Sequence, residues 1–421
     1  MSAMSAFLLL LALAAPACAA AAAEEPSSSV ASAIKDFVFK PTKTGMLVRL
    51  PTFDTDPNIG PTYGFVAVWV IGTAESTSTI KSVHAPSLNY NSHFGVTAGY
   101  QYFYFPSRRT DISVRGSLSQ YWNREAVAEL ETKEIGDRNI YFDGRFEHSR
   151  NGAKKFYGIG PNTSESGESD YTLDTINYKL TGGIPLWEGA PLSVEARHAL
   201  QADEIEGSFP PIPDTVQLYP DITRGLQYRR INVSHRASLV YDTRDSADTT
   251  SGGTYADVFI GASRTDLLSA YNYTRYGGTV KSFIPAGDDG EPKLITASRV
   301  TFENLNGSAP FFLLPELGGK YSLRSYGDGR FYDHTMLDLS LEERCRVYAR
   351  KIAGIPFSFW VDPFVGLGTV AHEPDLMQAK YMHPAYGAAF RVVSRPQLVE
   401  SLDFGYGQEG LKTFLDVRYS F

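Results

Sequence analysis

LKTFLDVRYSF, residues 411–421, ends the chain. Leu411, Thr413, Leu415, Val417, Tyr419 and Phe421 fall on one side of an extended backbone, and Lys412, Phe414, Asp416, Arg418 and Ser420 on the other. Side chains alternate across a strand with a period of two, so the segment is an apolar face backed by a mostly polar one. By itself it fits an edge strand of a soluble sheet. Its recurrence points elsewhere.

In TDISVRGSLSQYW (110–122), Ile112, Val114, Gly116, Leu118 and Trp122 oppose Asp111, Ser113, Arg115, Ser117 and Ser119. In INVSHRASLVYD (231–242), Ile231, Val233, Ala237, Leu239 and Tyr241 oppose Asn232, Ser234, Arg236 and Ser238. In MLDLSLEERCRVYAR (336–350), Leu337, Leu339, Leu341, Cys345 and Val347 oppose Asp338, Ser340, Glu342, Arg344 and Arg346. Segments of about 10 residues with lipid-facing and lumen-facing side chains in alternation are the signature of a transmembrane barrel, whose lumen is wet and tolerates charge. The 25 Tyr and 25 Phe then read as girdles at the two membrane interfaces. After residue 23 no apolar run reaches the length of a spanning helix, which leaves a closed barrel as the membrane-crossing structure.

Sixteen candidate strands follow, with cores at 62–71, 79–90, 94–105, 111–122, 139–148, 171–182, 192–201, 228–241, 255–262, 271–284, 294–303, 335–349, 357–366, 382–393, 397–407 and 411–421. The fold class is all-β, a 16-stranded antiparallel transmembrane β-barrel over 61–421. An even count puts both termini on one side, the periplasm. Short turns follow the twelfth and fourteenth strands and long connections follow the seventh and eleventh, so residues 318–333 fall in the sixth outward loop.

FLLLLALAAPACAAAAA (7–23) followed by EEPSSS has the form of a secretory signal, residues 1–23. A spanning anchor would want about 20 strongly apolar residues, and Pro16 and the many alanines fall short of that. MSAMSA before the run carries no Lys or Arg, leaving open whether the true start lies upstream. Cys18 lacks the Leu three positions earlier that lipidation normally has, and its modification stays open too. Beyond the signal one cysteine remains, Cys345, so there is no disulfide framework. Export without disulfides suits the envelope of a Gram-negative bacterium. A net charge of −8 argues against nucleic acid as a partner.

Chemistry-bearing motifs are missing. None of the eight histidines lies in HExxH, a Cys/His ligand pattern or a G-x-S-x-G setting. His148 and Ser149 are neighbours in a strand and point to opposite faces. Asp242, Asp245 and Asp248 lack EF-hand spacing. No enzyme, no cofactor and no metal is expected.

One stretch stands out among the loops: GGKYSLRSYGDGRFYD (318–333) carries Leu323-Arg324-Ser325-Tyr326 at its centre, between Gly318-Gly319 and Gly329-Arg330-Phe331. With MLDLSLEER after it, it resembles the BamA-type outer-membrane barrel superfamily, the bacterial surface antigen family that takes in the TamA and TpsB transporters. That family has a [V/L]-R-G-[F/Y] tetrad in this loop. KFYGIGPNTSESGESDY (155–171) is similar to its early outward loop. YDTRDSADTTSGGTY (241–255), with Asp242, Arg244 and Asp245, is similar to its D-x-R-D…G turn. LDFGYGQEG (402–410) before the last strand also fits. The last strand, with Tyr419 and the terminal Phe421, resembles the targeting strand of such barrels, which ends in Phe on the lipid face.

The resemblance implies that the loop folds back into the barrel and that Arg324 pairs with acids of the inner wall. Glu342 is the matching acid on the twelfth strand, and the alternation independently turns it inward. A cation in a narrow lumen needs a carboxylate, and arginine offers a rigid fork. Two departures stand out. Ser325 replaces the tetrad's glycine, and the family's second acid, in a D-x-G context on the thirteenth strand, aligns with Gly366. Asp362 shares that face but lies four residues, about 13 Å, away. The lock is then weaker, or held by Glu342 alone. Residues 24–60 form a short periplasmic segment without the POTRA domains of the assembly factors, so a periplasmic partner supplying their role is an expectation. The function implied is assistance with insertion or translocation of proteins or lipids at the outer membrane. Outer-membrane lipids and the assembly machinery are the other expected partners. The alternative is a passive porin or structural barrel.

Overall fold

The computed structural model describes residues 37–421 except 74–75, 108, 122, 134, 136–139, 209–210, 248, 288–291, 353–354, 395–397 and 417–418. The export segment, Cys18, Trp122, Asp248, Val417 and Arg418 lie outside the described residues.

The strands run as an antiparallel meander. The first nine are β1 (Phe39–Thr42), β2 (Gly45–Asp56), β3 (Gly60–Thr73), β4 (Ser76–Asn91), β5 (Gly95–Ser107), β6 (Thr110–Ser119), β7 (Arg124–Thr132), β8 (Tyr141–Phe156) and β9 (Ser169–Pro185). Next come β10 (Leu192–Glu206), β11 (Arg230–Asp242), β12 (Gly253–Ser263), β13 (Asn272–Ala286) and β14 (Leu294–Ser308). A small separate ladder of β15 (Glu316–Leu317) and β16 (Phe331–Tyr332) follows. The meander resumes with β17 (Thr335–Ile352), β18 (Ile355–Ala371), β19 (His383–Ser394), β20 (Leu398–Gly407) and β21 (Gly410–Asp416).

Apart from β15 and β16, all of these belong to one 19-stranded sheet in which each strand pairs with the next. The last strand returns to the start of the sheet, with Cα atoms of β21 and of the second strand, β2, within 8 Å of each other. No ladder joins the two among the described residues.

Among the described residues the sheet has nineteen strands where alternation gave sixteen. The additions are β1, β2 and β7. β1 and β2 occupy the stretch expected to precede the barrel, so the sheet begins inside residues 24–60. β7 fills the interval between the expected fourth and fifth strands. With β2 and β7 included, the 309–334 connection is the seventh, not the sixth, at its end of the sheet.

We call the face on which this connection packs the inner face. β17 shows how the faces are divided. Asp338, Ser340, Glu342 and Arg344 are buried on the inner side, while Leu341 is exposed and Leu337 and Leu339 are half-exposed on the other. β12 and β18 repeat the pattern: Asp257 and Asp362 are buried, and Val258, Ile260 and Val365 are more than half exposed. A water-soluble sheet does the reverse, because leaving such a side chain in water forgoes about 1.5–3 kcal/mol of burial. The inverted pattern suits a sheet with hydrocarbon outside and charge inside. No described helix is long and apolar enough to cross a membrane, which says nothing of strands.

Candidate functional site: an arginine loop on a charged wall

The 309–334 connection leaves β14, makes a turn of 3-10 helix at Phe311–Leu313, and forms a hairpin on the β15–β16 ladder with its tip at 318–330. Gly318, Gly319 and Gly329 all have positive φ, at 130°, 84° and 78°. At Gly319 a Cβ would also lie 1.6 Å from the Asp328 carboxylate, so any other residue there is strained and displaces that side chain. The tip is tied by Gly319 N–H to Tyr326 O at 2.9 Å and Tyr326 N–H to Leu323 O at 3.1 Å. Leu323, Tyr326 and Phe331 are buried with Leu317, Met336, Val370 and Ala385. This apolar foot seats the hairpin on β17, β18 and β19.

The seating aims Arg324 at the wall. Its Nη1 lies 2.8 Å from Glu342 Oε2 and 2.8 Å from Asp403 Oδ2. The guanidinium stacks on Phe364, 3.6 Å from the ring centroid. Glycines make the space. A Cβ at Gly405 would sit 1.8 Å from the Arg324 carbonyl oxygen, and one at Gly407 would sit 2.4 Å from Ser325 Oγ. Gly366, where the resemblance called for an acid, gives room to Leu323 instead.

Glu342 is shared. Arg344 Nε lies 2.9 Å from it, and Arg391 makes contacts of 2.9 and 3.0 Å. Arg391 also pairs with Asp362, and its Nη2 lies 3.8 Å from Asp403. Beside this cluster Arg299 donates to Asp338 at 2.5 Å and to the loop carbonyls of Tyr321 and Ser322 at 2.6 and 3.4 Å. All eight side chains are buried, four arginines against four acids. Charges taken out of water are tolerated only when paired, and each of the eight has an opposite charge within 4 Å, although Arg324 Nη2 and Arg299 Nε make no hydrogen bond among the described residues.

The second acid beside Arg324 is therefore Asp403 on β20, not a residue of β18. The sequence held a signal for it. Asp403-Phe404-Gly405 is itself a D-x-G step, two strands beyond the place searched, and alternation on β20 sets Asp403 on the face of Gly405 and Gly407. Asp362 does not reach Arg324; it serves Arg391. Arg299, Arg344 and Arg391 were also missed, because an inward arginine on a strand resembles any other lumen charge until its partners are known, and Phe364 because an inward aromatic carries no mark of the cation above it.

The other singled-out residues divide between the hairpin and the wall beneath it. Arg330 is buried, pairs with Glu409 of the β20–β21 turn, and donates to Thr163 Oγ1 and O at 2.7 and 2.6 Å. Thr163 lies in the 155–171 segment. In the 241–255 turn, Arg244 donates to Asp242 at 2.7 and 2.9 Å, and Asp245 accepts from the Ser251 N–H at 2.8 Å. That turn delivers the Thr250 carbonyl to Arg344 at 3.3 Å. Outside the strands, burial pushes the Tyr326 hydroxyl up to about 12. It also raises the Glu409 carboxyl above the usual range against the pull of Arg330.

The end of the chain does not follow the expected course. β21 is described as far as Asp416, and Tyr419 and Phe421 lie on the inner side, against Arg344 and Arg299. Tyr419 is buried with Phe283, Ile295, Trp360 and Val399. Arg344 stacks on its ring at 3.6 Å and donates to Phe421 O at 2.9 Å, while Arg299 donates to Ser420 O at 3.2 Å. A terminal strand continuing to residue 421 would have turned the Phe421 ring to lipid. Here it rests 5.0 Å from the Arg299 guanidinium, because the paired arginines offer three residues of unpaired backbone better partners than hydrocarbon does.

A single meandering sheet with exposed apolar and buried charged side chains, and an arginine hairpin packed on its inner face, defines an outer-membrane type of β-protein. The chain belongs to the Omp85 superfamily: the family's domain model matches residues 89–406. Its members are non-catalytic outer-membrane proteins of membrane-protein biogenesis and transport. The fold is similar to that in the crystal structure of BamA from Haemophilus ducreyi lacking POTRA domains 1–3. The TM-score is 0.56 at 13% identity, over 95% of this chain and 80% of that one. CdiB from Acinetobacter baumannii matches at a TM-score of 0.46 and 11% identity, over 89% of this chain and 60% of that one. No curated protein matches the sequence. Among the described residues no cluster of three or more His, Cys, Asp or Glu is arranged to hold a metal.

Proposed function

We propose that the sheet closes as a transmembrane β-barrel in the outer membrane of a Gram-negative bacterium, reached by signal-peptide export. The 318–330 hairpin plugs its lumen, and the protein assists insertion or translocation of proteins or lipids at that membrane. The observation that carries the reading is Arg324, buried between Glu342 and Asp403 at 2.8 Å from each. An arginine, three glycines of positive φ, and a glycine-lined wall are costly to assemble in a passive pore, which needs only an open, wet lumen. Lipids of the membrane and the machinery that inserts barrels are the partners this role requires.

Deleting the gene tests the role. The expected outcome is an altered content of outer-membrane proteins or lipids, restored by the wild-type gene and less well by one encoding Arg324→Ala. An envelope of unchanged composition in the deletion strain would contradict it and favour a structural barrel.

A further inference from the structure

His198 of β10 and His235 of β11 are register partners on the outer face. His198 Nδ1 lies 3.1 Å from His235 Nε2, with ring centroids 4.9 Å apart. They sit midway along their strands, with Val194 and Ala196 on the same face toward one end and Leu200 and Ala202 toward the other. Gly182, Ala196, Ala237 and Ala262 lower the surface around them, between Leu180 and Ile260, into a groove of ≈ 730 Å³. A polar pair at the middle of an apolar band is costly in hydrocarbon and calls for a partner.

The chemistry of the pair says what that partner must offer. A neutral imidazole has one N–H and one lone pair. One ring donates to the other, so together they retain one N–H and one lone pair, at His198 Nε2 and His235 Nδ1. Neither ring makes a further hydrogen bond among the described residues. Which of the two atoms bears the proton depends on the tautomer.

We infer that this groove is the interface of a homodimer within the membrane, its occupant a second copy of the chain. The inference rests on the reading of the outer face as lipid-facing. Barrels insert in one orientation, so a symmetric pair can be related only by a two-fold axis along the membrane normal. That axis preserves depth, and the histidine level of one copy meets the histidine level of the other. It also brings β10 of one copy opposite β11 of its partner. Each remaining N–H then faces a remaining lone pair, in both directions and for either tautomer. The small-residue floor lets the two sheets come close enough for these bonds.

Subunit counting by single-molecule photobleaching of the full-length protein in phospholipid vesicles at low protein density is the test, with heat-modifiable migration on gels as the check of folding. Wild type is expected to bleach mainly in two steps. The double variant His198→Leu/His235→Leu and the groove-filling Ala237→Trp are expected to lose the two-step traces while staying folded, since leucine on a lipid face does not oppose insertion. One-step bleaching of folded, inserted wild type would overturn the dimer, as would two-step traces unchanged in both variants. Failure of the wild type to insert at all would instead overturn the membrane reading beneath it.

Discussion

Arg324 does three things with one side chain: it reaches Glu342, reaches Asp403, and covers Phe364. Removing one member of a buried ion network leaves the others uncompensated and costs about 3–5 kcal/mol. Arg324→Ala is therefore expected to lower the temperature at which the folded band converts to the unfolded one on gels. Arg324→Lys is expected to recover only part of the loss, because an ammonium lacks the planar fork that both stacks and bridges. A variant lysine as stable as wild type would show that charge alone matters here. Glu342→Gln is expected to be at least as damaging as Asp403→Asn in the same assay, since Glu342 meets three arginines. Glu342 was legible from the sequence because alternation and motif agree on it. Asp403 was not, because it lies 79 residues from Arg324 and only the register of β20 brings it round.

At the scale of elements, the hairpin depends on space left by glycines in β20. Gly405→Ala puts a Cβ 1.8 Å from the Arg324 carbonyl and is expected to lift the tip, making the 318–330 segment cleavable by added protease in the folded protein. Gly182→Ala, where nothing lies within 4 Å of the new Cβ, is the control and is expected to leave the loop resistant. Equal resistance in both variants would mean that the hairpin is not held against β20. The last three residues make a second element-level case. Deleting 419–421 removes the Phe421 and Ser420 carbonyls from Arg344 and Arg299 and the Tyr419 ring from Arg344. It is expected to lower thermal stability even in protein refolded from a purified, unfolded state, where cellular targeting has no part. The sequence told most strands from their alternation and failed where alternation is weak. β7, REAVAELET, mixes alanine with glutamate and reads as a helix former. β2 begins with an unbroken apolar run and holds Pro51, which hides its period.

Across the whole molecule, the class was legible because one physical rule, charge inward and apolar side chains outward, repeats over the length of the sheet. What the sequence did not display is the sharing of that charge. Arginines on β14, β17 and β19 and acids on β17, β18 and β20 form one network with a loop and the chain end, and no local pattern records it. In the proposed function the hairpin fills the lumen and Arg324 holds it there. Single-channel conductance of the refolded protein in planar bilayers, wild type beside Arg324→Ala, tests it most directly. A small, flickering current is expected in the wild type, growing in the variant. A large, steady current identical in both would contradict it and make the protein an open pore.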